Sequence, residues 1–331
     1  MMTHSGIGLR PFAILHFFFI LFWVTHSAGA KLRPVQNGDR LTLSINGQLF
    51  TEYRSDKHVP CLFPLMSAAG THLTRQFPFN QNIAGESKDH PHHISFWFAH
   101  GQVNGHDFWH GRRGERIVTR SLRVDEVRTI PGGSSVSFTV DLEWLAQEKR
   151  ILTEERTYTV TETGDERIIE VNVILKATEG DVVFGDTKEG AFGLRVSPTI
   201  RLKGEHAKGG ISTSTGMRDS KAWGKRAKWV AFHGPDSAGN PMVVAILDHP
   251  QNLRHPTWWH ARDYGLLSAN PFGPKAYGDD NFTHSVPAKL KQGRSLNLRY
   301  QLVLQTGLIN APELDKRWTG FSKAQNVGDS K

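Results

Sequence analysis

With 331 residues, a single cysteine and a formal charge of +8, the chain can bury a sizeable core but can form no internal disulfide. Packing must therefore hold the fold. The positive charge is spread along the chain and accompanies no nucleic-acid-binding module, so nucleic acid is not the expected partner. Its densest run, Lys225-Arg226-Ala227-Lys228, leads directly into Trp229 and Val230 and reads as a solvated strand entrance.

Residues 1–30 read as an export signal. Arg10 supplies a positive flank, Phe12 to Val24 form an apolar run broken only by His16, and Ala28-Gly29-Ala30 offers small residues for cleavage. That run is shorter than the roughly 20 residues a membrane-spanning helix needs, and every later apolar run is interrupted by charge or glycine. The expectation is a secreted or periplasmic protein starting near Lys31, with no membrane span in the mature chain.

From Lys31 onward, period-two alternation dominates. Leu41, Leu43 and Ile45 alternate with polar residues, and Asn46-Gly47 supplies the two left-handed positions of a tight hairpin before Leu49 to Tyr53. Similar hairpins are expected at Ile117 to Ile130 with Val136 to Leu145, and at Arg156 to Val160 with Ile168 to Leu175. Further strands are expected at 182–184, 193–197, 229–232, 242–247 and 296–304. This pattern predicts an all-β protein built as a large antiparallel β-sandwich, one domain over residues 31–321. The one helix expected runs from Pro312 to Phe321, capped by Asn310 and packed at an outer edge, before a flexible tail over 322–331. Residues 203–228, rich in Gly, Ser, Thr and Lys, are expected to be a long loop.

The chemistry concentrates in two stretches. Six of the fourteen histidines after Lys31 lie between His90 and His110. In a strand over Ile94 to Ala99, Ile94, Phe96 and Phe98 share a core face, while His93, Ser95 and Trp97 share the other. Imidazoles beside a carboxylate exchange protons near neutral pH and bind transition metals when neutral. His90 and His92, with Asp107 or Glu115 as an oxygen donor, are the candidate ligands for a divalent transition metal such as copper, iron or zinc. The second stretch runs from Asp248 to Gly265 and repeats the tripeptide Asp-His-Pro. There Trp258, His260 and Arg262 fall on one side of an extended chain, and Trp259, Ala261 and Asp263 on the other. A guanidinium fork, an imidazole and an indole face suit a polar, ring-shaped ligand such as a saccharide. The competing reading makes both tryptophans core residues and pairs Arg262 with Asp263 or Asp279. Between the stretches, the charged turn from Asp186 to Arg195 offers Glu189 as a carboxylate.

Asp89-His90-Pro91-His92-His93 through Gly105, Trp223-Gly224-Lys225-Arg226-Ala227 through Trp229, and Asp248-His249-Pro250 through Asn270-Pro271-Phe272-Gly273 together resemble the secreted bacterial PmoA-like family, also labelled methane oxygenase PmoA. The oxygenase in that label is not carried over, because a membrane monooxygenase subunit needs several apolar spans. The resemblance implies a galactose-mutarotase-like supersandwich, whose concave sheet face presents His, Arg and carboxylate groups to a sugar.

The leading expectation is thus an exported carbohydrate-active enzyme of hydrolase, lyase or epimerase type. His93, Glu189 and His260 share the acid and base roles, and Trp97, Arg195, Trp258, Arg262 and Asn270 bind substrate. The alternatives are a metal-dependent enzyme built on the His90-x-His92 pair and a non-catalytic carbohydrate-binding module. The density of acid–base residues favours an enzyme over simple stacking.

Overall fold

The computed structural model describes residues 1–3, 31–164, 166–285 and 287–324. The expected leader and most of the expected tail lie outside the described residues. In chain order the strands are β1 (Leu32–Asn37), β2 (Arg40–Ile45), β3 (Gln48–Arg54), β4 (Cys61–Leu62), β5 (Phe96–His100), β6 (Arg116–Ile130), β7 (Gly133–Ala146), β8 (Lys149–Thr163) and β9 (Glu166–Lys176). They continue with β10 (Val182–Phe184), β11 (Gly190–Arg195), β12 (Gly210–Thr213), β13 (Trp229–Pro235), β14 (Pro241–Asp248), β15 (Trp258–Trp259), β16 (Leu266–Asn270), β17 (Ala288–Leu290) and β18 (Ser295–Thr306). Among the described residues a single α-helix, α1 (Ala311–Lys323), follows.

Two antiparallel sheets of eight strands each build the body. The first has the order β1-β2-β3-β4-β5-β11-β16-β15, the second β12-β13-β14-β18-β9-β8-β7-β6, and β10 pairs with β17 alone. The expected large antiparallel sandwich is what forms. The hairpins arise where the turn chemistry asks for them, with Asn46 and Gly47 at φ 52° and 82°. Alternating side chains then interlock between the sheets. Phe192 of the first sheet stacks on Tyr300 of the second at 4.5 Å, Tyr53 meets Phe138 edge-on at 6.1 Å, and Phe98 meets Trp144 at 6.1 Å.

Two local expectations change. Helix α1 begins as expected, with Asn310 accepting from the Glu313 amide. However, it lies across the outer face of the second sheet rather than at an edge, packing Leu314 and Phe321 on Trp229, Ala231, Val243, Ala245, Leu247 and Val303. The 203–228 segment carries β12 and a short 3-10 helix, Asp219–Ala222, so it is only partly loop. Inside the sandwich, Glu154 and Arg156 face the core from β8 as a buried ion pair. Trp144 Nε1 donates to Glu154, and the Arg156 guanidinium lies 5.4 Å from the Phe98 ring centre.

Replacing Phe192 by Ala removes the central inter-sheet ring and is expected to lower unfolding stability by about 3–5 kcal/mol. Urea titration followed by tryptophan fluorescence measures this, and a loss below ~1 kcal/mol would show that another contact joins the sheets.

Candidate functional site

The outer face of the first sheet carries the site, where β5, β11, β16 and β15 lie side by side. Register fixes which side chains share that face. Trp97 pairs with Gly193, Gly193 with Ser268, and the His260 amide bonds the Ser268 carbonyl at 2.8 Å. Toward one end, Arg195 pairs with Leu266 and the Arg262 amide bonds the Leu266 carbonyl. The neighbouring positions Phe96, Phe98, Phe192 and Ala261 point inward and join the core. The expected strand over Ile94 to Ala99 is shorter, Phe96–His100, with His93 and Ser95 (φ 70°) outside it, yet Trp97 still faces away from Phe96 and Phe98, and Trp97, Arg195, His260 and Arg262 share one surface.

Loops then cover part of that surface. Residues 87–93 are tied down by Arg75, whose guanidinium donates to the carbonyls of Ser87, Asp89, His90 and His93 and to the Asp89 carboxylate at 2.9 Å. Arg195 donates to the same carboxylate at 3.1 Å and to His93 Nδ1 at 3.1 Å. The Ser87 hydroxyl (2.6 Å) and His90 Nδ1 (2.7 Å) complete the set. Both arginines are buried, whereas the Asp89 side chain is 39% exposed. Burial pushes the Asp89 carboxyl up, but the bonds from Ser87 and His90 and the charges of Arg195 and Arg75 outweigh it and hold it well below the usual carboxylate range. Burial and the neighbouring Arg195 lower Arg75 to about 9, and burial lowers Arg195 as well.

Aromatic rings bring the two chemical stretches together. Tyr264, from the second stretch, stacks on His90 at 5.3 Å and on His93 at 6.4 Å, and His90 stacks on His93 at 4.8 Å. The Arg195 guanidinium lies 4.4 Å from the Tyr264 ring centre and that of Arg262 lies 5.6 Å from it. Arg262 is half-buried and makes no ion pair or side-chain hydrogen bond among the described residues. Of the competing reading, the pairing with Asp263 or Asp279 does not form, since Asp279 instead accepts from Trp258 Nε1, whereas Trp258 and Trp259 are both buried.

Glu189, just before β11, is four-fifths buried and pairs with Lys188. His260 donates from Nδ1 to the Lys188 carbonyl at 3.1 Å, which leaves the Nε2 lone pair free to accept a proton. Burial lowers His260 to about 4, with the neighbouring Glu189 carboxylate opposing the shift. An arginine can only donate, so His93 Nδ1 accepts from Arg195 and the neutral ring carries its proton on Nε2. Burial, His92 and Arg195 push His93 well below its ordinary value, which makes it a fixed donor rather than a titrating acid.

Several expected site residues have structural roles. Trp97 is 1% exposed and wedged between His93 and Trp109, and Trp258 is fully buried against Phe282 and Arg226, so neither ring can stack on a ligand. Arg195 lies beneath the surface as a clamp on Asp89. Asn270 is fully buried and braces the loops through the Thr187 carbonyl, the Tyr277 hydroxyl and the Phe272 amide. His90, His92 and Asp107 form no ligand set: His90 holds Asp89 and Asp107 holds His110 at 2.7 Å. Glu115 is likewise occupied by the amides of Asp107 and Arg113. Among the described residues no three His, Cys, Asp or Glu side chains are grouped to hold a metal ion. The second Asp-His-Pro is structural, with buried Asp248 accepting from His255, Asn252 and the Thr257 amide.

Sequence reasoning passed over Arg75 and Tyr264. Arg75 stands alone in a polar segment and meets Asp89 only through the fold. Tyr264 lay inside the second stretch, two residues after Arg262, where an aromatic beside a cation was the available signal.

A family of unknown function, DUF6807, matches residues 40–319, and the chain belongs to that family. No curated protein matches it. Among solved structures it is similar to the galactosidase domain of the α-galactosidase–sucrose kinase AgaSK (TM-score 0.42, 11% identity), covering 83% of this chain and 42% of that one. It is also similar to a Glycoside Hydrolase Family 97 enzyme from Pseudoalteromonas sp. strain K8 (0.33, 10%), covering 84% and 34%. A third is a putative aldose 1-epimerase from Klebsiella pneumoniae subsp. pneumoniae MGH 78578 (0.40, 10%), covering 91% and 88%. The chain thus spans less than half the length of the first two. Among the described residues no helix is long and apolar enough to cross a membrane.

Four buried imidazoles share one pH consequence. Burial lowers His92 to about 3 and His100, His249 and His260 to about 4, against an ordinary 6.5. The unfolded chain therefore binds more protons between those values, so the stability they contribute is complete above pH 6.5 and lost as pH falls toward 4 and below. The midpoint of urea unfolding is expected to drop progressively across that window, and a midpoint unchanged from pH 7 to 4 would contradict the neutral assignment.

Proposed function

We propose that this member of the DUF6807 family is an exported carbohydrate-active enzyme that binds a saccharide over Tyr264 and carries out a proton-transfer reaction with His260 and Glu189. The observation that carries the reading is the Tyr264 ring itself. It stacks on His90 and His93 while its neighbours Arg262, His260 and Glu189 line the same sheet face.

A partly exposed aromatic ring can pack against the C–H surface of a sugar, and the polar groups around it suit the hydroxyls. Neutral His260 is placed to take a proton on Nε2, and the Glu189 carboxylate stabilises the imidazolium that results. His93 presents its Nε2–H as a donor, and Arg262 orients the substrate. Hydrolysis, elimination and epimerisation all begin from such a set, so reaction type is left to the assay.

A saccharide panel screened by thermal shift, followed by product analysis on each stabilising sugar, tests the proposal. Tyr264→Ala is expected to abolish the shift. His260→Ala is expected to lower kcat by about 10²–10⁴-fold with KM little changed. Full turnover in both His260→Ala and Glu189→Gln would remove the acid–base assignment, and binding without any turnover would favour a carbohydrate-binding module.

Export is part of the proposal, supported by the apolar run from Phe12 to Val24 and the small residues ending at Ala30. Expression of the full chain in a bacterial host is expected to yield protein beginning at Lys31 outside the cytoplasm. Intact Met1 on the isolated protein, recovered from the cytoplasm, would reject it.

A further inference from the structure

We infer that the ligand of this site is an acidic saccharide, one whose carboxylate is received by Arg262 beside Tyr264. The inference rests on the saccharide reading above and narrows its substrate class.

Charge around the ring is unbalanced toward the positive. Arg75 and Arg195 are both nine-tenths or more buried, and the one carboxylate they touch is Asp89. A second carboxylate, Glu189, is already paired with Lys188. Arg262 has no carboxylate at all among the described residues, although it is half-buried. Arg75 and Arg195 thus share one directly bonded carboxylate, with Glu86 acting on Arg75 from farther away, and Arg262 is the guanidinium left without an anion of its own. Desolvated positive charge without a partner is costly, and an entering anion offsets that cost.

Geometry selects Arg262 as the point of contact. Arg195 is committed to Asp89 and His93, and Arg75 to the backbone of the 87–93 loop. The planar fork of Arg262 remains open and lies 5.6 Å from the Tyr264 ring centre. A sugar ring lying on Tyr264 would bring an equatorial carboxylate within reach of that fork. Arginine forks and carboxylates match in a two-bond arrangement that is stronger than a neutral hydrogen bond. A neutral sugar would leave the excess charge in place.

The test uses sugars that differ only at C6, comparing galacturonate with galactose and glucuronate with glucose, together with short oligomers of each, on the full protein by calorimetry. Acidic sugars are expected to bind at least about tenfold more tightly than their neutral partners, the value of one charge-assisted contact. Raising salt from 0.05 to about 0.5 M is expected to shrink that difference. Arg262→Gln is expected to reduce acidic-sugar affinity about tenfold more than neutral-sugar affinity, so that the preference is lost, and Arg262→Lys to restore part of it. The unfolding temperature of each variant checks that it remains folded. Equal binding of neutral and acidic sugars, or a preference unaltered in Arg262→Gln, would overturn the inference and leave the saccharide reading standing. Absence of binding by every sugar would overturn both.

Discussion

The carboxylate of Asp89, held between two arginines from distant parts of the chain, is the constraint from which the site follows. Arg75 comes from the segment bridged to Val196, and Arg195 from the end of β11, next to that bridge. Their convergence pins the histidine-rich loop flat against the sheet, and only then does His90 meet Tyr264. Neither arginine would be tolerated at that depth alone, and a carboxylate open to solvent on one side satisfies both at modest desolvation cost. The imidazoles on this loop are consequently held in place by the two arginines.

That arrangement divides the labour between support and chemistry. Beneath the surface, Arg75, Arg195 and Asn270 hold the loops through their side-chain hydrogen bonds, and Trp97 packs under His93. Tyr264 and Arg262 lie partly exposed above them, and the deeper His260 keeps an Nε2 lone pair. A site gains precision when its supporting shell is rigid in this way and the reacting groups are left open.

Much of the architecture was legible because strand periodicity is local. The Asn46-Gly47 hairpin, the long β6–β7 and β8–β9 pairs, and the cap at Asn310 each follow from a few adjacent residues. The facing of the site was legible for the same reason, since alternation alone put Trp97, His260 and Arg262 on one side and Phe98 and Ala261 on the other. Depth was not legible. Trp97 and Trp258 point outward as expected, yet loops from elsewhere close over them, and no local pattern encodes what a distant loop will cover. The two Asp-His-Pro tripeptides make the limit plain: Asp89 is a half-exposed clamp, whereas Asp248 is a fully enclosed knot for the turn that follows it. Identical residues take opposite roles because their surroundings are assembled by long-range contacts.

Helix α1 gives β14 an unusual position. From Met242 to Asp248 every residue of this strand is buried, because one side meets the sandwich core and the other meets the helix. The run Met-Val-Val-Ala-Ile-Leu thus needs no polar face, unlike the strands of the same sheet that remain open to water. Two indole hydrogen bonds, Trp229 to Asp315 and Trp318 to the Asp248 carbonyl, latch the helix in place. A nascent chain that has not yet reached residue 311 exposes a greasy ribbon flanked by unprotected neighbours, so self-association competes with folding until the last segment arrives.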